Sequence, residues 1–305
     1  MNPTEHTEPT GQQGPVQAPA TPQVSAILIG YNQAPALRRA IEALERSQNR
    51  EQLEILLVDC ASTDGTGSLD ESYPGVTVMR MPDHFGATKA LNVATRTARA
   101  ELLLYLSPNV EVAPDTIAKL VESLEAASDT AAACPLLVSP EGKPVWKALP
   151  MPTRDLFSRI CAGGYPPYTA VPDLAQESVV VSYPGRDALL IRKHFVAGMN
   201  YFDERLGEYW ADADLALQVR RGGRKIRVYP QIRVTCSPLP PAAAPRTAEI
   251  SDRIVGAAVL LGKYNGMFAG LGFRLGSMLK ALFSFNLSLF FAILNGQQMD
   301  ASKSA

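Results

Sequence analysis

The 305-residue sequence predicts an α/β protein built on a mostly parallel, doubly wound sheet. Three observations carry that prediction. Short apolar runs alternate with segments of helical periodicity from Val24 to Leu124, the pattern of successive β-α-β units. Two of the early apolar runs end in polar tips, Gly30-Tyr31-Asn32 and Asp59-Cys60-Ala61-Ser62-Thr63-Asp64-Gly65. Ligands of open α/β sheets bind beyond such carboxyl ends. A 46% hydrophobic share against 19% charged residues suits a substantial core.

The first strand is expected from Val24 to Ile29. A helix follows, with Pro35 in its first turn and Leu37, Ile41 and Leu44 on one face. Ile55 to Val58 is a short buried strand closed by Asp59, and Val76 to Arg80 is the next. A helix is expected over Thr88 to Ala98 and a strand over Leu102 to Leu106, ending at Ser107-Pro108-Asn109. Pro114 then opens a helix carrying Ile117, Leu120, Val121 and Leu124. Beyond Ala131 the pattern loosens. Ala132 to Val138, Val179 to Tyr183 and Asp187 to Arg192 read as strands, with an irregular Pro/Gly-punctuated excursion from Pro144 to Pro172. Ala213 to Arg221 is expected as a helix stopped by Gly222-Gly223, and Lys225 to Tyr229 as a strand.

The two ends differ from this middle. Residues 1–22 are rich in Pro, Thr, Gln and Gly and read as a disordered tail without signal-peptide character. Residues 241–305 read as a C-terminal helical segment. No acidic residue occurs between Arg253 and Met299. Ile254 to Leu261 is one helix candidate, with Ser251 as its N-cap. The 276–295 stretch is Phe- and Leu-rich, with Ser277, Lys280, Ser284 and Ser288 forming a polar stripe. With Lys280 inside it, the stretch is shorter than the roughly 20 apolar residues of a spanning helix. An amphipathic helix in the plane of a membrane is expected; a helix packed on the body or on a second subunit is the alternative.

Composition excludes several classes. A formal net charge of -1 gives no sign of a nucleic-acid partner. Cys60, Cys134, Cys161 and Cys236 lack Cys-x-x-Cys spacing, which disfavours a zinc site or disulfide framework. Three histidines, His6, His84 and His194, cannot build a multi-histidine metal centre. No Gly-x-Gly-x-x-Gly follows the first strand, against a dehydrogenase. Gly30-Tyr31-Asn32-Gln33 is not the Gly-rich, Arg-bearing loop of a nucleotidylyltransferase.

The motifs Val24–Asn32, Glu54–Thr66, His84-Phe85-Gly86 with Lys89 and Asn92, Glu101–Leu106, Tyr201–Glu204 and Tyr209–Leu215 occur together in this order. The set resembles the family 2 glycosyltransferases of GT-A fold over roughly residues 24–236, and their rhamnosyltransferase-like branch in particular. The resemblance implies an inverting enzyme. It would move a sugar from a nucleotide-diphosphate donor, a dTDP- or UDP-sugar, to a glycan or lipid-linked acceptor. The setting would be cell-envelope polysaccharide synthesis, with the enzyme cytoplasmic and peripheral at the inner membrane.

Asp59 is then expected to accept a hydrogen bond from the base; a plain Asx turn is the other reading. Gly30, Tyr31, Asn32 and Ser62 would line the base and ribose, and Asp64 would fix the loop. Gly86 would admit the ligand close to backbone, and Lys89 would reach base or phosphate or else sit on a solvated helix face. The family's catalytic Glu-Asp pair reads Ala211-Asp212 here, so Asp212 is the expected general base, with a helix-start role as the alternative. Asp214 is expected to be structural.

The expected metal site departs from the family. Asp-x-Asp or Asn-Pro-Asp is replaced by Ser107-Pro108-Asn109, and the late His by Cys236. Mg²⁺ favours carboxylate oxygens, and Asn109 offers a neutral carbonyl. Use of Mg²⁺ or Mn²⁺ therefore stays open, with Glu111 as a substitute ligand. Without a metal, Lys89, Arg192, Arg220 or Arg221 would offset the diphosphate charge. A catalytically degenerate relative that binds nucleotide sugar or a partner is the competing reading.

Overall fold

The computed structural model describes residues 21–145, 148–149, 153–161, 174–239 and 246–299. Residues 1–20 of the tail expected over 1–22, and much of the 144–172 excursion, lie outside them. The elements run β1 (Val24–Gly30), α1 (Ala34–Glu45), β2 (Leu53–Asp59), α2 (Leu69–Ser72), β3 (Val76–Arg80), α3 (Ala87–Thr97), β4 (Leu102–Leu106) and β5 (Val110–Glu111). Then follow α4 (Thr116–Ala126), β6 (Thr130–Val138), α5 (Arg154–Cys161), β7 (Val179–Val181), β8 (Ala188–Arg192) and α6 (Lys193–Gly198). The chain continues with α7 (Ala211–Arg221), β9 (Lys225–Cys236), α8 (Arg246–Asn265), α9 (Met267–Phe283) and α10 (Leu287–Leu294).

One sheet holds these strands in the order β3-β2-β1-β4-β8-β6-β9-β5, with β7 also on β9. β3, β2, β1 and β4 are parallel, as the alternating pattern predicts. Past β4 the sheet is mixed: β8 is antiparallel to β4 and β6, while β6 and β9 run parallel. The loosened sequence pattern after Ala131 marks this change, because antiparallel insertion breaks the strand–helix–strand rhythm.

Alternate residues of the strands feed two cores. Ile27, Leu56, Val58 and Leu103 face α3, α7 and α8, while Ala26, Leu28, Ile55 and Leu57 face α1 and α4. Burial on both faces is why these strands read as continuous apolar runs.

The C-terminal region differs from its expected form in two ways. The helix expected at Ile254 begins at Arg246, so Ser251 lies inside α8. Its hydroxyl donates to the Gln297 carbonyl at 2.7 Å instead of capping the helix. The 276–295 stretch is divided between α9 and α10, with Phe285 left-handed at φ 55 and the Asn286 side chain accepting from Leu289 N. Asn286, which interrupts the apolar pattern, is thus an N-cap. No helix among the described residues is long and apolar enough to cross a membrane.

Candidate active site

Helix connections from β1 run to β2 on one side, and β4 lies on the other, so the chain's winding reverses between β1 and β4. A cleft opens outside the strand ends at such a point. A cavity of about 410 Å³ lies there, lined by Tyr31, Asn32 and Gln33 of the β1 tip, Cys60 after β2, and Ser107 and Pro108 after β4. His84, Ala87, Arg186, Glu208, Tyr209 and Met299 also line it.

The β1 and β2 tips are tied to each other. Asn32 is left-handed at φ 54. Its N–H donates to Ser62 Oγ at 2.9 Å, and its Oδ1 accepts from Thr63 N at 2.8 Å. Asp64 Oδ2 accepts from Ala34 N at 2.7 Å, at the start of α1, while Oδ1 accepts from the Thr66 amide and hydroxyl. Burial works to raise the Asp64 pKa, and the Thr66 hydroxyl with the Ala34 and Thr66 amides outweighs it, so the carboxyl sits below its usual range. The expected loop-fixing role of Asp64 has this geometry.

Asp59 is buried at the end of β2, and its Oδ1 accepts from Ser62 N at 3.1 Å. The bond reaches three residues on, one further than an Asx turn, and still ties the carboxylate to its own loop. A Cβ on Gly67 would stand 2.8 Å from Asp59 Oδ2, so glycine leaves that oxygen room. Asp59, Ser62 and Asp64 brace the tip from behind, while Tyr31 and Asn32 reach the cavity itself. Tyr31 stands edge-on to His84 with ring centroids 4.5 Å apart.

Gly86 is an N-cap with φ 82, and Ala87 N after it donates to Glu208 Oε2 at 2.7 Å. Lys89 lies over the Phe85 ring at 4.0 Å and does not line the cavity. The other three expected cations also lie elsewhere: Arg192 donates to the Leu124 carbonyl, Arg221 covers Tyr264, and Arg220 is exposed near the end of α7. The cation that does line the cavity is Arg186. Its only sequence signal is a basic residue in Pro184-Gly185-Arg186-Asp187, between strands; nothing in periodicity marks it.

Asp212 and Asp214 occupy the first turn of α7 and do different things. Asp214 is fully buried and ion-paired to Lys263 Nζ at 2.8 Å, with Tyr264 OH donating at 2.5 Å. It ties α7 to α8, the structural role expected of it. Asp212 is half-buried. Its Oδ1 accepts from Tyr183 OH at 3.0 Å and from Ala213 N at 2.8 Å, which leaves Oδ2 facing the Gly185 backbone. Burial raises the Asp212 pKa, and the Asp187 carboxylate adds to it, against the opposing pull of Arg186, Tyr183 and Ala213. Among the described residues no hydrogen bond reaches Oδ2, and a carboxylate with a raised pKa has the chemical properties of a general base. Cys60, on the cavity floor, is pushed up to about 12 by burial and the nearby Glu208 and Asp59 charges, so it stays a thiol.

The expected metal positions do come together. Asn109 Nδ2 donates to Cys236 Sγ at 3.4 Å and to the Ser237 carbonyl. Asn109 Oδ1 is buried without a hydrogen-bond partner. A neutral amide and a buried thiol are not the hard anionic donor set of Mg²⁺ or Mn²⁺. Glu111 does not replace it, because it is ion-paired to Arg39 at 3.2 Å. Among the described residues no three His, Cys, Asp or Glu side chains are grouped to hold a metal. The donor set does not fit a divalent cation.

A sheet with a cleft at this switch point and braced strand tips places the chain among the α/β proteins whose site lies beyond the strand ends. The Glycosyl transferase family 2 sequence model matches residues 25–193, and the chain belongs to that family. It is similar to the uncharacterised glycosyltransferase YfnE of Bacillus subtilis, 27% identical over 34% of this chain and 27% of that one. Only about a quarter of that relative's length is therefore spanned. An N-acetylglucosaminyl-diphospho-decaprenol L-rhamnosyltransferase of Mycobacterium tuberculosis is 24% identical over 67% of this chain and 72% of its own. Among solved structures, GalNAc-T7 with UDP, GalNAc and Mn²⁺ superposes with a TM-score of 0.60 at 17% identity, covering 77% of this chain and 47% of the other. The fold is of GT-A type.

Proposed function

We propose that the protein is an inverting glycosyltransferase that uses a nucleotide-diphosphate sugar, of the dTDP or UDP class, in the β1–β4 cavity. The acceptor would be a glycan or a lipid-linked sugar of the cell envelope. Family membership and the rhamnosyltransferase relative support the reaction class. The observation that carries the proposal is a cation lining the cavity, Arg186, whose charge also acts on the nearby half-buried carboxylate of Asp212.

In this reading the base lies against Tyr31 and the braced β1–β2 tip, with Asp59 behind it. The diphosphate faces Arg186 and Ser107, where the guanidinium supplies charge and donors to the departing oxygen. Asp212 Oδ2 takes the acceptor hydroxyl proton. The acceptor oxygen bonds to the sugar C1 from the face opposite the diphosphate. The C1–O bond breaks, and the nucleoside diphosphate leaves with that electron pair. Asn109 and Cys236 take no part in charge neutralisation.

A membrane setting has its own support. Phe268, Phe283 and Phe285 are exposed by 80%, 79% and 92%, and Met267, Leu279, Leu287 and Phe291 are also exposed on α9 and α10. With no acidic residue from Arg253 to Met299, this surface suits the interface of an anionic bilayer. We assign 23–240 to the transferase domain and place the exposed α9–α10 face of the 241–305 segment at that interface, on the cytoplasmic side of an inner membrane, with α8 and Met299 packed on the transferase body.

The test is donor turnover and binding over a panel of nucleotide sugars, with Mg²⁺, with Mn²⁺ and with chelator, for wild type and Asp212→Asn. Turnover in chelator that vanishes in the variant while binding persists is the expected result. Binding without turnover, in the presence of glycan and lipid-linked acceptors, would favour the degenerate reading.

A further inference from the structure

We propose that the segment Gly296–Met299, at the far end of the sequence, is a working wall of the donor cavity, and that Asp252 is the residue that positions it. This rests on the reading of the β1–β4 cavity as the donor site.

The segment is held by specific bonds along its whole length. Gly296 takes the left-handed conformation, φ 67, that lets the chain turn off the end of α10. Ser251 Oγ donates to the Gln297 carbonyl at 2.7 Å. Gln298, 4% exposed, donates through Nε2 to the Arg205 carbonyl at 2.9 Å. Met299 N donates to Asp252 Oδ2 at 2.7 Å, its carbonyl meets His84 Nδ1 at 2.7 Å, and its sulfur accepts from Tyr209 OH at 3.3 Å.

Asp252 is fully buried in α8 and serves two parts of the cavity at once. While Oδ2 holds Met299, Oδ1 accepts from the Glu208 amide at 3.2 Å. Glu208 in turn receives Ala87 N at the start of α3. Glu208 and Met299 both line the cavity. A Cβ on Gly207 would stand 2.2 Å from Asp252 Oδ1 and 2.7 Å from Gln298 Nε2, so this junction closes only around a glycine in the left-handed region, φ 68.

The wall so built is aromatic and thioether: Tyr31 and His84 edge to face, Tyr209, and Met299. Such a surface receives the flat face of a heterocyclic base. Because the same segment is the continuation of α10, the donor cavity is tied to the helices that carry the exposed Phe and Leu side chains. Binding at one is thereby coupled to order in the other.

The experiment is calorimetric titration of UDP, dTDP and GDP, all in chelator, into the full chain, Met299→Ala, Asp252→Asn and a chain ending at Gln297. Hydrogen exchange of the 295–299 amides is followed with and without nucleotide. Wild type is expected to bind one class of nucleotide. Loss of the Met299 side chain weakens it about 5-fold, and Asp252→Asn or truncation about 10-fold. KM for the donor rises while kcat changes by less than about twofold. Nucleotide slows exchange of the 295–299 amides in wild type, which a purely structural strap would not show. Equal affinities in wild type and Met299→Ala, with no change in exchange, would overturn the wall while leaving the donor site standing. No nucleotide bound by wild type would remove the donor reading itself and this proposal with it. Should Asp252→Asn fail to fold, Met299→Ala and the exchange data decide.

Discussion

The two sides of the cavity are built to different standards. On the β1–β2 side, Asn32 is tied to Ser62 and Thr63, and Asp64 to Ala34 and Thr66, by hydrogen bonds between side chains and backbone. On the β4–β9 side, next to the cavity-lining Ser107 and Pro108, the buried Asn109 Oδ1 has no partner among the described residues, and its amide donates to a thiol and a backbone carbonyl. The first side fixes a shape before any ligand arrives. The second lacks the anionic cluster with which a metal would be held, and its charge comes from Arg186. In the proposed reading, recognition is preorganised at the base end, and transfer depends on a few single side chains. The difference predicts where substitutions act: on turnover at the β4 side, and on stability and binding at the β1 side.

The largest expected effect is at Asp212. Asp212→Asn should lower kcat by about 10³-fold, within the range of a general base, with donor affinity nearly unchanged. The sign of its stability effect sharpens the contrast. The folded-state pKa is raised, so the native state binds more protons than the unfolded one. Its destabilising cost grows as pH rises from the unfolded value through the folded one and is full above it. Asp212→Asn should therefore melt no lower than wild type at neutral pH, and activity should rise as pH climbs through the folded pKa. A large drop in melting temperature would make Asp212 a structural cap instead.

Arg186 comes next. Arg186→Ala should lower kcat by about 10²-fold, the scale for removing one preorganised charged donor. Arg186→Lys should recover part of it, because charge returns and the planar fork does not. Turnover in chelator that is indifferent to both variants would break the contrast, since the transfer side would then need another cation.

The readable parts of the sequence were those with local causes. The apolar runs of β1, β2 and β4 gave the parallel half of the sheet, because burial on both faces leaves no alternation to misread. The positions of Asp64 in the loop after β2 and of Asp212 in the first turn of α7 were readable because a strand end and a helix start are local features. Arg186 was not, since only the pairing of β8 with β4 brings its loop to the cavity. Met299 and Asp252 were beyond reach for the same reason: their contacts span 215 and 47 residues. Ser251 looked like a cap because its true partner, the Gln297 carbonyl, lies 46 residues away.

On the base side, Asp64→Ala should cost about 1–2 kcal/mol of stability, the scale of losing a capping carboxylate and its hydroxyl partner. The carboxyl is held below its usual range, so its contribution is present above the unfolded-state pKa and is lost as pH falls through the folded one. Denaturant melts of wild type and variant should therefore converge in acid. A gap that stays constant down to low pH would show that the carboxylate charge adds nothing to the Ala34 and Thr66 bonds.

The smallest expected effect tests the metal position directly. Asn109→Asp places a carboxylate where the amide oxygen is now buried without a partner. A buried, uncompensated charge is costly, and a hard divalent cation would relieve it. The variant should melt a few degrees below wild type in chelator. Mn²⁺ should restore part of that loss, because a ligand that binds only the folded state stabilises it. Wild type should melt at the same temperature with or without Mn²⁺. A wild-type shift on adding Mn²⁺, in the absence of nucleotide, would mean that the Asn109–Cys236 pair holds metal after all, and the two sides of the cavity would then be alike in preorganisation.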